Sequence, residues 1–274
     1  MKKVLEILRK HLIIIFIHIL YSTSVFFIMY YNRKVMIPDI DKMTEIEFIK
    51  SAFFSETKRA ITVYLISALF LSVFYYFIAN CVQNRKIYLQ DFGKGILQYY
   101  FLTLASLILW IPLFVIFLMS IGIISIPSAL IVIPLLSGQE SLFIPAIVLW
   151  IVTLIFILFG ILLFTLYITF WYPGIFLVTK NIFSAFKRSN KVVNDSCWKL
   201  LLFSLLLLVN FFGLIFINVY AFKLLYQSTN PLNSGLLWAG VVLTSIFTTI
   251  LKIYSFVFLY ERYSERDEKM EVFY

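Results

Sequence analysis

Charge is scarce in this chain, and acid is the scarcest sign. Of 274 residues only 14% are charged, with 14 Asp or Glu against 23 Lys or Arg. A soluble domain carries about 25% charged residues, so a water-soluble globule is excluded. There are two cysteines and two histidines. Cys81 and Cys197 form no CxxC pair, which leaves no disulfide framework, zinc ribbon or redox motif to read. No P-loop, GxSxG, dinucleotide fingerprint or HExxH occurs.

Apolar residues fill the space that charge leaves. Hydrophobic residues make up 62% of the chain and mean hydropathy is +0.96. A helix needs about 20 mostly apolar residues to cross a hydrocarbon core of roughly 30 Å. Six segments meet that length: 11–31, 60–82, 98–124, 142–171, 198–220 and 236–260. The runs are continuous rather than alternating, so they are helices and not barrel strands. The first is too long for the core of a signal peptide and lacks a small-residue cleavage site. The expectation is an all-α polytopic membrane protein, a single integral membrane domain over 1–274 with six transmembrane helices.

Basic residues set the orientation. Fifteen lie in the N-terminal segment, the second and fourth connections and the C-terminal tail, seven lie on the other side, and Lys252 falls inside the sixth run. The bias predicts a multi-pass protein of the cell membrane with both termini cytoplasmic. The net charge of +9 is then a topology and headgroup signal, and nucleic acid is not an expected partner.

Three polar connections have the spacing of interfacial helices. Over 180–195, Lys180, Ser184, Lys187, Arg188, Lys191 and Asp195 share one face; Ile182, Phe183, Phe186 and Val193 mark the other. This is a basic amphipathic helix, with Pro173-Gly174 expected to break the fourth span before it. Over 85–98, Lys86, Gln90 and Lys94 form a polar stripe beside Leu89, Phe92, Ile96 and Tyr99. A third helix is predicted from Thr44, where Thr44 and Glu47 fit a capping box. The segment 125–140, with Pro127 and Pro134 and no basic residue, reads as re-entrant, interfacial or a plain apolar turn. A shift of 94 residues places Leu89, Phe92 and Lys94 on Phe183, Phe186 and Arg188, a faint parallel repeat of hairpins.

The stretch from Tyr172 through Lys191 into Trp198-Lys199 resembles the membrane domain of glycerophosphodiester phosphodiesterases and related stand-alone bacterial integral membrane proteins. The residues that carry the likeness are Pro173 at a span end, Ala185 and Ser189 in an A-x-x-x-S helix with basic residues, and the Trp198-led span. It covers about 50 residues. The resemblance implies an architecture, not an activity, because the phosphodiesterase chemistry of that family belongs to a separate soluble domain.

Within the six runs there is no Asp or Glu, and intramembrane acids are what proton or sodium relays use. Lys252 reads as a lysine that snorkels to the surface or as an anion-binding lysine supported by Asn210. His18 reads as a hydrogen-bonded core histidine. Asn80, Asn210 and Asn218 are expected to bond across helices. Gly160, Gly213 and Gly240 are expected to allow close backbone approach. No enzyme activity and no cofactor are expected. The expected function is contact with anionic phospholipid headgroups or a membrane protein partner at the cytoplasmic face, through Lys180, Lys187, Arg188, Lys191, Lys86 and Lys94. The alternatives are a transporter or permease subunit without an ion relay and, less favoured, a membrane-embedded lipid enzyme.

Overall fold

The structure, a computed structural model, describes residues 2–35, 45–88, 90–136, 143–227 and 231–265. These form eight helices and no strand: α1 (Lys2–Lys10), α2 (Ile13–Val35), α3 (Glu45–Val82), α4 (Asp91–Leu136), α5 (Phe143–Leu177), α6 (Ile182–Asp195), α7 (Cys197–Gln227) and α8 (Pro231–Glu265). Five stretches are long and apolar enough to span a bilayer: Phe53–Val82, Asp91–Ile126, Ile144–Leu177, Cys197–Leu214 and Leu237–Ser264. The pair α1 and α2, bent by 81°, supplies a sixth if taken as one span. The chain is thus an all-α polytopic membrane protein, as its apolar runs require.

Helix boundaries differ from the sequence reading at four places. α1 is a separate amphipathic helix, with Val4, Ile7 and Leu8 buried at the i, i+3, i+4 spacing of one face. The stretch expected as a surface helix before the second span is the first part of α3, continuous to Val82; Thr44 lies outside the described residues. The stretch 85–98 is not one helix: residues 83–88 are turn and irregular backbone, and helix begins at Asp91. Lys86 therefore precedes α4 and Lys94 sits in its first turn. Finally, α4 runs through Pro127 and Pro134 to Leu136, and α5 runs through Pro173 to Leu177. In lipid, leaving the helix exposes every polar group of the backbone, so a proline that removes one hydrogen bond is absorbed.

Aromatic rings from α3, α4, α5 and α8 build the core at one end of the bundle. Tyr75 stacks on Tyr172 at 4.8 Å and on Phe256 at 5.7 Å, and Tyr99 stacks on Phe176 at 4.3 Å. Offset ring contacts add about 0.5–1.5 kcal/mol beyond area burial. Away from this core α4 and α5 pair with each other, Phe117 stacking on Phe164 at 4.3 Å, while Ile116, Met119, Ile155 and Phe156 face outward. Outward apolar surface of this kind suits lipid. Asn210 Nδ2 donates to Thr248 Oγ1 at 3.0 Å, joining α7 to α8; the Asn218 side chain lies outside those described.

The offset of 94 residues has a counterpart in the packing. Phe92 meets Phe77 edge-on at 5.1 Å, and Phe186 meets Trp171 edge-on at 5.3 Å. Both residues of the second pair lie 94 positions after those of the first. The two copies still differ, because Phe92 opens the spanning helix α4 whereas Phe186 lies on the separate surface helix α6.

The glycines that matter for close packing are also different from those expected. A Cβ on Gly160, Gly213 or Gly240 would meet only ordinary contacts at 3.4–3.8 Å. On Gly174 it would fall 2.9 Å from the carbonyl oxygen of Ala185, and on Gly95 3.2 Å from Cα of Val73.

Candidate functional site at the basic end of the bundle

The C-termini of α3, α5 and α8, the N-terminus of α4, and the helices α1 and α6 gather at one end. Local structure explains how the cations there are held. α3 ends in a Schellman motif: the Asn84 N–H donates to Cys81 O at 3.0 Å and the Arg85 N–H to Asn80 O at 2.9 Å. Asn84 takes φ 58°, a left-handed conformation that Asn tolerates better than most residues. The reversal delivers Arg85 and Lys86 to the rim of a cleft of about 990 Å³ between α1, the end of α3 and α8.

Lys2, Lys3, Lys10, Arg85 and Lys86 line this cleft, against Glu6 and Glu261, over a floor that includes Cys81, Val257 and Phe258. Lys10 Nζ pairs with Glu6 at 2.6 Å on an exposed i, i+4 step. The hydrogen bond and the charge of Lys10 together hold the Glu6 carboxyl below its usual range. An exposed pair of this kind contributes little to stability. The Lys3 ammonium lies over the Tyr260 ring at 4.9 Å. A second cavity, about 290 Å³, shares Arg85 with the first and reaches Asn80, Lys94, Gln98 and Tyr99. Lys94 is engaged there, its Nζ 3.1 Å from Asp91 Oδ1, while Asp91 Oδ2 also accepts the Tyr88 N–H at 2.8 Å.

α6 is clamped to α5. Asn181 caps it, its side chain accepting the Ser184 N–H at 3.0 Å. Trp171 Nε1 donates to Ile182 O at 3.0 Å, and Tyr167 Oη donates to Asn194 Oδ1 at 2.6 Å. The buried face is Ala185, Ser189, Val192 and Val193. Phe183 does not belong to it: this ring is 73% exposed, on the same side as Lys187 and Lys191 at i+4 and i+8. This differs from the expectation that Phe183 shares the face opposite the cations with Ile182, Phe186 and Val193. The outer surface of the helix therefore combines Phe183 with exposed Lys187, Arg188 and Lys191, and Trp198 follows at 88% exposure. No described residue forms an ion pair with those three cations. The Lys180 ammonium lies 5.7 Å from the Tyr99 ring centre.

The six cations expected as contacts thus lie at one end but in four settings: Lys187, Arg188 and Lys191 in a row on α6, Lys180 beside the Tyr99 ring, Lys86 on the cleft rim, and Lys94 paired to Asp91. The cleft cations of α1 and Arg85 were legible only as topology charges, although the Val4, Ile7 and Leu8 spacing marks α1 as amphipathic. Among the described residues no three His, Cys, Asp or Glu side chains are placed to hold a metal ion. The arrangement suits multivalent attraction to negative charge, with Phe183 and Trp198 offering apolar insertion beside it. No known protein family, curated protein or solved structure matches this chain.

Proposed function

We propose that the chain is a non-enzymatic integral protein of the cell membrane, both termini cytoplasmic, that engages anionic phospholipid headgroups at its basic end and presents them or itself to a membrane protein partner. The observation that carries this reading is the outer face of α6, where Lys187, Arg188 and Lys191 stand exposed with Phe183 and no carboxylate among the described residues pairs with them. Polybasic residues at an anionic surface contribute about 1 kcal/mol each, and aromatic rings beside them seat at the headgroup level. The same geometry gives the A-x-x-x-S likeness a physical sense, since Ala185 lies against Gly174 of α5 and Ser189 shares its buried face. Kinship with the membrane domains named above is part of the proposal. The stacked Tyr75, Tyr172 and Phe256 rings between the helices support this reading over a conducting path.

The test is retention of lipid by the full chain in neutral detergent, read by native mass spectrometry with equimolar phosphatidylglycerol and phosphatidylcholine. Wild type should retain phosphatidylglycerol preferentially. The combined Lys180→Gln, Lys187→Gln, Arg188→Gln, Lys191→Gln variant should lose about tenfold or more of that preference, given the per-residue attraction. An unchanged preference would remove lipid headgroups from the proposal.

A further inference from the structure

A third cavity lies among the helices, away from the basic end. It has a volume of about 300 Å³ and is walled by α2, α3, α7 and α8. Lys252 reaches it from α8, twelve residues and about 18 Å of helix rise from Ser264. The ammonium is turned to the aromatic core, 5.8 Å from the Tyr75 ring centre and 5.7 Å from that of Tyr172. No described carboxylate lies within ion-pairing distance of it. Ring faces offset part of the cost of a desolvated ammonium, but they leave its N–H donors without acceptors. His18, 5% exposed, lines the same cavity, and its Nδ1 is buried with no hydrogen-bond partner among the described residues.

Three other polar groups of the wall are already satisfied. Thr244 Oγ1 donates to Gly240 O at 2.8 Å, Ser245 Oγ to Val241 O at 2.6 Å, and Thr248 pairs with Asn210. Lys252 Nζ and His18 Nδ1 have no hydrogen-bond partner among the described residues, and both sit toward one end. From there the wall runs along α2 from His18 to Met29 and along α8 from Lys252 to Val241, eleven residues on each helix, or about 16 Å. Its far part is apolar: Val25, Phe26, Met29, Leu214, Ile217 and Val241. One end calls for an acid head and the rest for a hydrocarbon tail.

We infer that the cavity between α2, α7 and α8 is a binding site for a single-chain amphiphile with a carboxyl head, the head meeting Lys252 and His18 and the tail running toward Met29 and Val241. A carboxyl group answers both orphans, since its oxygens accept from the ammonium and its proton can be shared with Nδ1. The volume stands at the small end of ligand pockets, about 300–1,000 Å³, which favours one chain over a diacyl lipid.

The full chain in neutral detergent would be titrated with the fluorescent fatty acid cis-parinaric acid and the probe displaced with palmitic acid, methyl palmitate or dipalmitoyl phosphatidylglycerol. The expected result is saturable binding at one site, with palmitate displacing the probe at least about tenfold better than the ester. Lys252→Met should abolish the preference for acid over ester. Val241→Trp, which fills the tail region three turns from the lysine, should weaken probe and ester alike while leaving Lys252 in place. The inference is overturned if acid and ester compete equally in wild type, if phosphatidylglycerol competes as well as palmitate, or if Val241→Trp binds the probe like wild type.

Discussion

Gly174 of α5 lies against the backbone of Ala185 in α6, so that a Cβ on Gly174 would stand 2.9 Å from the Ala185 carbonyl oxygen. That contact fixes how far α6 can sit from the bundle and which of its faces turns outward. The neighbouring Trp171 to Ile182 hydrogen bond, 3.0 Å, fixes its first turn. Gly174→Ala should therefore cost about 1–3 kcal/mol, as overpacking against an atom that cannot rotate away does. Trp171→Phe should cost about 1 kcal/mol, the net worth of one hydrogen bond. Thermal unfolding in detergent checks both. A Gly174→Ala protein as stable as wild type would disprove the close approach.

The end of α3 gives a backbone prediction. Asn84 holds φ 58° in the Schellman turn. Asn84→Gly should stay within about 0.5 kcal/mol of wild type, because glycine enters the left-handed region freely. Asn84→Val should lose about 1–2 kcal/mol, the cost of a Cβ in that region. The same unfolding assay distinguishes them, and equal effects of the two substitutions would refute the turn.

Between α7 and α8, Asn210 and Thr248 exchange hydrogen bonds at 3.0 and 3.2 Å. Asn210→Leu and Thr248→Val in a double-mutant cycle should return a coupling of about 0.6 kcal/mol, up to about 1.7. Denaturation of the reconstituted chain measures it. Additive single effects would show that the pair does not couple the helices.

Orientation is open to a direct measurement. The proposed topology puts fifteen of the 23 Lys and Arg on the side that carries both ends of the chain, so a C-terminal fluorescent-protein fusion should fluoresce and a C-terminal alkaline phosphatase fusion should be inactive. The reverse result would invert the proposed topology and move the α6 cations to the outer surface.

Much of the architecture was legible in composition. Long apolar runs leave the backbone no choice but helix in lipid, and Lys187, Arg188 and Lys191 announce a surface helix by their spacing. Boundaries were less legible, because proline reads as a breaker in water. Pro127, Pro134 and Pro173 all lie inside helices, where a departure from helix would strand more polar groups than the proline itself does. Thr44 and the 85–98 stripe misled for a related reason: short amphipathic patterns do not say whether a helix stops or fuses with the span beside it.

The sequence by itself determined the class, the membrane-length helices, the absence of acid from their apolar runs and the clustering of cations, since these follow from transfer free energies of individual residues. Tertiary structure decided what each polar group meets. It turned Phe183 outward beside Lys187, paired Lys94 with Asp91, bent α1 by 81° away from α2, and set Lys252 against Tyr75 and Tyr172 rather than at the surface. Those outcomes depend on which helices neighbour one another, and helix neighbours are chosen by packing complementarity among apolar side chains that look alike in one dimension.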